Sequence, residues 1–271
     1  MGIRFWTGDT KSLLEEVDRS GGLLTVPSGP SLAEVGADEL LKKSYQGSDW
    51  AVVDGGYIAL ILRFVFQRPI PRISGLQILQ KLLGHGAKRE IPMEQRKILW
   101  VMPDQAESER VSKLTAELGL PAENQSTYLA PFYRCDEDYR DKELLDMIHE
   151  TQPDWIILGI GGGRQEKLGL FLRDDLRHDT PSFYQDKLPV ILCTGGAIAF
   201  LTGGQANIPT WADRLYLGWL FRVVDDPRRF FGRYWKAAWC LPWVLWCSRG
   251  NLFGESPVAD VAQEDEEVVV A

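Results

Sequence analysis

The sequence is poor in the residues that metal and redox chemistry need. Its 271 residues include four cysteines and three histidines, with no Cys-x-x-Cys pair and no cysteine–histidine spacing that would hold a structural zinc. Cys135, Cys193, Cys240 and Cys247 therefore read as reduced, mostly buried thiols. Positive charge is also scarce. Thirty lysines and arginines stand against 38 aspartates and glutamates, a net charge of −8, and that balance argues against a nucleic-acid binder, whose contact face is basic. No apolar run reaches the roughly 18–20 residues that cross a bilayer, and the opening MGIRFWTGDTKS lacks the apolar core of a signal peptide. Common catalytic signatures are missing as well: there is no GxxxxGK[ST], GxSxG or HExxH. What remains is 45% hydrophobic and 25% charged, the mix of an ordinary globular chain.

Charge and tryptophan are unevenly placed. Residues 257–271 hold five acids and no base, so that end reads as a solvated, disordered tail. Just before it, residues 222–249 carry six bases against two acids. The same stretch holds Trp235, Trp239, Trp243 and Trp246, spaced 4, 4 and 3 apart, which places them within roughly 80° of one another on a helix. Cations beside a tryptophan stripe suit a helix lying on an anionic membrane surface; a stripe at helical spacing also suits core packing. Pro242 would kink such a helix. These breaks divide the chain into a catalytic domain at 1–234, a tryptophan-rich basic membrane-surface segment at 235–255 and an acidic tail at 256–271.

The order of apolar runs predicts an α/β fold, with a Rossmann-like, mostly parallel sheet covered by helices and a C-terminal helical appendage that associates with the membrane. Strands are expected at 22–26, 50–54, 97–102, 127–131, 154–160 and 188–193. Helices are expected at 31–43, with Ser31 as N-cap and Glu34 completing a capping box, and at 57–67, 75–83, 106–118, 142–151 and from Arg164.

In such sheets ligands sit beyond the carboxyl ends of the strands. Four strand ends here carry unusual residues: Thr25 with Ser28 and Gly29; Asp54 with Gly55; Gly161, Gly162, Gly163, Arg164, Gln165 and Glu166; and Thr194 with Gly195 and Gly196. A glycine turn opening a helix with an arginine suits a phosphate, although glycines at strand ends also serve simply as turns. The turn is not a dinucleotide fingerprint, since no acid ends a following strand about 20 residues on. Asp54 reads either as a general base at the cleft or as the cap of the next helix.

At these strand ends the chain resembles the WecG/TagA/CpsF glycosyltransferases (glycosyltransferase family 26), from about Gly22 to Trp235. The segments that carry the likeness are VVDGG, RISG at Arg72–Gly75, DWIILGIGGGRQE, CTGGAIAFLTGG and IPTWADRLYLGWLFRVVDDPRRFFGRY. The resemblance implies inverting transfer of a sugar, of the N-acetylmannosamine type or glucose, from a UDP-sugar. The acceptor would be a polyprenyl-diphosphate-linked saccharide, in cell-surface polysaccharide or teichoic acid assembly at the inner face of the cytoplasmic membrane. No metal and no cofactor is implied, and self-association into a homo-oligomer is left open. Asp54 matches the family's proposed base. Thr25, Gly55, Arg72, the Gly161–Glu166 segment, Gly195 and Gly196 would meet the donor. Arg222, Arg228, Arg229 and Arg233 would meet the acceptor's diphosphate.

The chain departs from the family pattern at four places, one of them the turn Gly161–Gly163 with Arg164, which lacks a proline of the family. Pro27 stands where the first loop usually has asparagine, Ala199 precedes Phe200 where the family has an acid, and Gly218 replaces a glutamate. These departures keep a second class open: a UDP-sugar-binding or regulatory protein that has lost catalysis. A nicotinamide-dependent oxidoreductase lacks its ribose-binding acid, and a purely membrane-binding protein would not need four ligand-like strand ends.

Overall fold

The computed structural model describes residues 1–67, 70–178, 187–194, 196–203, 218–225 and 227–247. Six strands are present: β1 (Gly22–Thr25), β2 (Trp50–Ala51), β3 (Ile98–Met102), β4 (Gln125–Leu129), β5 (Trp155–Leu158) and β6 (Val190–Cys193). They form one sheet in the order β2-β1-β6-β5-β3-β4, and every pairing is parallel. The sequence pattern predicts a mostly parallel sheet; the described sheet is parallel throughout. β1, β3, β5 and β6 are buried along their whole length, as strands covered on both faces must be.

Side chains alternate across a strand, and that alternation sorts the core. Leu24, Trp100, Met102, Ile157 and Leu192 point to one face, where they meet α1 (Thr10–Ser20) and α5 (Gly75–Leu83). Leu23, Leu99, Val101, Ile156 and Ile191 point to the other, under α7 (Lys142–Thr151) and α8 (Arg164–His178). A third apolar cluster lies beside the β2 edge. It joins the first residues of the chain to α2 (Gly29–Glu34), α3 (Glu39–Gln46), α4 (Gly56–Phe64) and α11 (Pro227–Cys247). The remaining helices are α6 (Gln105–Glu117), α9 (Ala197–Leu201) and α10 (Gly218–Asp225).

Local chemistry corrects several expectations. The helix expected at 31–43 is two helices, because Asp38 caps α3 by accepting from the Leu41 amide at 3.0 Å. Ser31 is not the N-cap of α2; Ser28 is, and Ser28 and Ser31 make a reciprocal capping box in the first turn. Pro30 fits there because its fixed φ suits a helix start and its missing N–H is not needed. β2 ends at Ala51, and Val53 pairs instead with Arg72. The pattern also passed over α1, which Asp9 caps by accepting from the Ser12 amide at 2.7 Å. Of the four cysteines, Cys193 is buried and Cys240 half-buried, while Cys135 and Cys247 are exposed: Cys135 begins a surface turn and Cys247 ends α11. That helix runs through Pro242, so residue 235 falls inside a continuous helix.

Candidate functional site

The strand order places the four singled-out strand ends side by side. β2, β1, β6 and β5 are consecutive neighbours, and parallel pairing puts all their carboxyl ends on one edge of the sheet. Close contacts join them. A Cβ on Gly55 would sit 3.1 Å from the Gly29 amide nitrogen, so the loop after β2 lies against the start of α2. A Cβ on Gly75 would sit 2.7 Å from the Thr194 carbonyl oxygen, so only glycine lets the start of α5 pack on the β6 turn. The Thr194 hydroxyl donates to the Leu158 carbonyl at 3.1 Å, tying the end of β6 to β5.

Asp54 stands half-buried at this edge. The N-cap of α4 is Gly55, so Asp54 stands one residue before the cap position. Arg72 comes to it through the backbone: Val53 and Arg72 form a parallel bridge, the Ile73 amide donates to the Val53 carbonyl at 3.0 Å, and Arg72 Nε donates to the Asp54 carbonyl at 2.8 Å. A contact remote in sequence thus holds the RISG segment beside the acid.

The glycine turn between β5 and α8 is shaped from below. Gly161 and Gly163 have φ of +92° and +88°, conformations that favour glycine. A Cβ on Gly161, Gly162 or Gly163 would meet no heavy atom within 4 Å, so the turn faces open space. Gln165 and Glu166 are buried beneath it, each 1% exposed. The Glu166 carboxylate accepts from the Gly163 amide at 2.6 Å and from the Gln165 side-chain amide at 3.0 Å. Burial raises the Glu166 carboxyl above its ordinary range, against these hydrogen bonds, which lower it. Glu166 therefore braces the turn rather than presenting itself to a ligand. Tyr45, buried in the same region, has its phenol pushed well up by burial and then by the Glu166 charge.

The other expected residues fall in three groups. Thr25 is the last residue of β1 and is fully buried, with its hydroxyl 2.8 Å from that of Ser48, so its side chain packs beneath the edge. Arg164 is half-buried and sets its guanidinium 4.1 Å from the centre of the Phe132 ring, an aromatic partner that sequence spacing did not signal. Gly196 caps α9, whereas Gly195 lies outside the described residues. Arg228 is exposed on α11; of Arg222, Arg229 and Arg233 the backbone alone is described, on α10 and α11.

α11 covers one flank of this edge. Its inner face buries Ala237, Leu241 and Leu245, and a Cβ on Gly29 would lie 3.7 Å from Leu241. Its tryptophans face outward: Trp235, Trp239, Trp243 and Trp246 are 59%, 70%, 69% and 53% exposed. Of the two readings of the stripe, core packing is excluded.

A family model described as the "Glycosyl transferase WecG/TagA/CpsF family" matches residues 1–252. Among curated proteins the chain is similar to the N-acetylglucosaminyldiphosphoundecaprenol N-acetyl-beta-D-mannosaminyltransferase of Bacillus subtilis (strain 168). It is 26% identical to that protein over 196 residues, 72% of this chain and 66% of the relative. The match thus spans just under two thirds of the relative's length.

Proposed function

The chain belongs to the WecG/TagA/CpsF glycosyl transferase family, and we propose that it transfers a sugar from a UDP-sugar to a polyprenyl-diphosphate-linked saccharide, with inversion at the anomeric carbon. The name of the Bacillus subtilis relative describes N-acetylmannosaminyl transfer to a diphosphoundecaprenol-linked N-acetylglucosamine, which supports the acceptor class.

The observation that carries the reading is the grouping of Asp54, the turn at Gly29, the β6 turn and the glycine turn on four adjacent strand ends, with Arg72 beside Asp54. Neighbouring strands lie about 4.8 Å apart, so β2 and β5 are separated by about 14 Å. A ligand that meets both Asp54 and the glycine turn must lie across the edge of the sheet, which fits an extended nucleotide sugar better than a lone phosphate. In this reading the nucleoside diphosphate meets the Gly161–Gly163 amides at the start of α8, where amides and the helix dipole favour negative charge. Arg164 adds a cation. The sugar then points along the edge toward Asp54.

Direct displacement needs one base and a stabilised leaving group. Asp54 takes the proton of the acceptor hydroxyl as its oxygen forms the new bond to the anomeric carbon. The bond to the UDP oxygen breaks on the opposite face, and turn amides and arginine cations compensate the charge that develops there. Arg72 is placed to hold a donor oxygen near Asp54. Arg228 and its neighbours on α11 meet the acceptor diphosphate, and the exposed tryptophan stripe keeps the enzyme on the inner face of the membrane where that acceptor resides.

The test is radiolabel transfer from a panel of UDP-sugars to a diphosphate-linked lipid acceptor. Labelled lipid from one donor supports the reading. Tight UDP binding with no transfer from any donor would instead identify a sugar-nucleotide-binding protein that has lost catalysis.

A further inference from the structure

A second apolar face stands next to the tryptophan stripe. α4 buries Ile58, Ile61 and Leu62 but leaves Tyr57 41%, Leu60 37% and Phe64 71% exposed, with Val65 57% exposed just after it. On a helix, positions 57, 60 and 64 fall within about 60° of one another, so these side chains share one outward face. α11 shows the same arrangement on a larger scale: Ala237, Leu241 and Leu245 turn inward, while Phe231, at 57% exposure, joins the four tryptophans outside. The two helices are in contact. The Tyr57 hydroxyl donates to the Ala238 carbonyl at 3.0 Å, and Ile58 and Leu62 share a core cluster with Leu241 and Leu245. Their outward faces therefore belong to one surface.

We propose that α4 and α11 dock together on an anionic lipid bilayer, with Leu60 and Phe64 entering beside the tryptophans. The proposal rests on the reading of α11 as an interfacial helix and adds α4 to it. Charge selects the occupant. Neither helix contains an aspartate or glutamate, and together they carry Arg63, Arg228, Arg229, Arg233 and Lys236, in a chain whose net charge is −8. Arg63, Arg228 and Lys236 are exposed. Aromatic rings flanked by cations suit the headgroup layer of an anionic membrane. A second copy of the chain across a two-fold axis would instead set this cationic surface against itself.

The location has a consequence for the reaction. α4 begins two residues after Asp54 and is nine residues long, about 13 Å. Seating α4 in the headgroup layer fixes how far Asp54 stands from the membrane, and so where an acceptor hydroxyl can meet it.

The test is co-sedimentation of the full chain with vesicles of phosphatidylglycerol and phosphatidylcholine, with phosphatidylcholine alone for comparison. Point substitutions are preferable to truncation, since removing α11 would uncover Leu32 and the rest of its cluster. Leu60→Glu with Phe64→Glu should weaken binding to the anionic vesicles by about tenfold or more, because it removes inserted apolar area and adds repelling charge. Its melting temperature should be unchanged. Phe64→Ser, a milder change at a highly exposed position, should weaken binding by about threefold and keeps the test open if the double variant misfolds. Phosphatidylcholine vesicles should bind the native chain more weakly. If both α4 variants bind within about twofold of the native chain while Trp239→Glu does not, α11 docks alone and the proposal falls, with the reading of α11 intact. If the native chain binds no vesicle, both fall. If the α4 substitutions instead dissociate an oligomer in vesicle-free solution and leave vesicle binding unchanged, a second copy covers this face and the proposal is overturned.

Discussion

Gly162→Ala separates a glycine needed by the fold from one needed by a ligand. Gly161 and Gly163 both have left-handed φ, so an alanine there costs about 1–2 kcal/mol in backbone strain alone. Gly163 also donates its amide to Glu166 at 2.6 Å, a bond that fixes the turn. Gly162 differs from both: its φ is outside the left-handed region, it is exposed, and a Cβ there would meet nothing within 4 Å. Gly162→Ala should therefore change stability by less than about 0.5 kcal/mol, as substitutions at open surface positions do. Its methyl group would stand in the space from which a phosphate approaches the turn. Losing one charge-assisted hydrogen bond costs about 1.5–3 kcal/mol, and about 1.4 kcal/mol corresponds to tenfold in affinity. UDP binding should accordingly weaken by about 10–100-fold in a protein of native stability. Calorimetric titration with UDP and urea unfolding of Gly162→Ala and Gly163→Ala measure the two quantities. Native UDP affinity in Gly162→Ala would refute the phosphate cradle, and so would a loss of affinity only in proportion to lost stability.

Other consequences follow from the same geometry. Arg164→Ala should weaken UDP binding by about 10-fold or more through loss of a charged partner, and EDTA should leave native activity unchanged; activity lost in EDTA and restored by Mg²⁺ or Mn²⁺ would contradict the metal-free reaction. Glu166 sets a pH dependence. Its carboxyl ionises near 4.5 in the unfolded chain and higher in the folded one, where burial raises it. In the window above 4.5 the folded state keeps a proton that the unfolded state has lost, so Glu166 lowers stability as pH rises through it. Glu166→Gln lacks that term, so its urea midpoint should gain on the native one as pH rises from 4.5, and a gap that closed instead would show the carboxylate to be stabilised in its charged form. Leu241→Ala should cost about 2–5 kcal/mol, since the side chain is fully buried and its removal leaves a cavity. A cost below about 1 kcal/mol would show that α11 adds little to the folded core.

Much of the fold was legible because the chain alternates buried strands with helices whose apolar faces repeat. WIIL at β5 and VILC at β6 read as strands from hydrophobicity alone, and the helices at Gly75–Leu83 and Lys142–Thr151 match the expected bounds to the residue. Strand order was not legible. Nothing local to β6 says that it inserts between β1 and β5, yet that insertion makes one edge out of four separate loops. Short-range competition hid other features. Ser28 and Ser31 both suit an N-cap, and only the folded loop, with Pro30 in the first turn, decides between them. The tryptophan spacing fixed one face of a helix without saying which way it turns; Leu241 and Leu245, buried on the opposite face, settle the direction. The outward face of α4 was masked by its own hydrophobicity, since GYIALILRF reads as a core helix until burial separates Leu60 and Phe64 from Ile58 and Leu62.

The central claim is that Asp54 acts as the base at a nucleotide-sugar site built from four neighbouring strand ends. Asp54→Asn keeps the size of the side chain and removes its basicity. The most direct measurement compares the transfer rate and the UDP-sugar affinity of this variant with those of the native chain, using a diphosphate-linked lipid acceptor. A positioned base contributes about 10²–10⁴-fold, so transfer should fall by that factor while donor affinity stays native. Native turnover in Asp54→Asn would contradict the account.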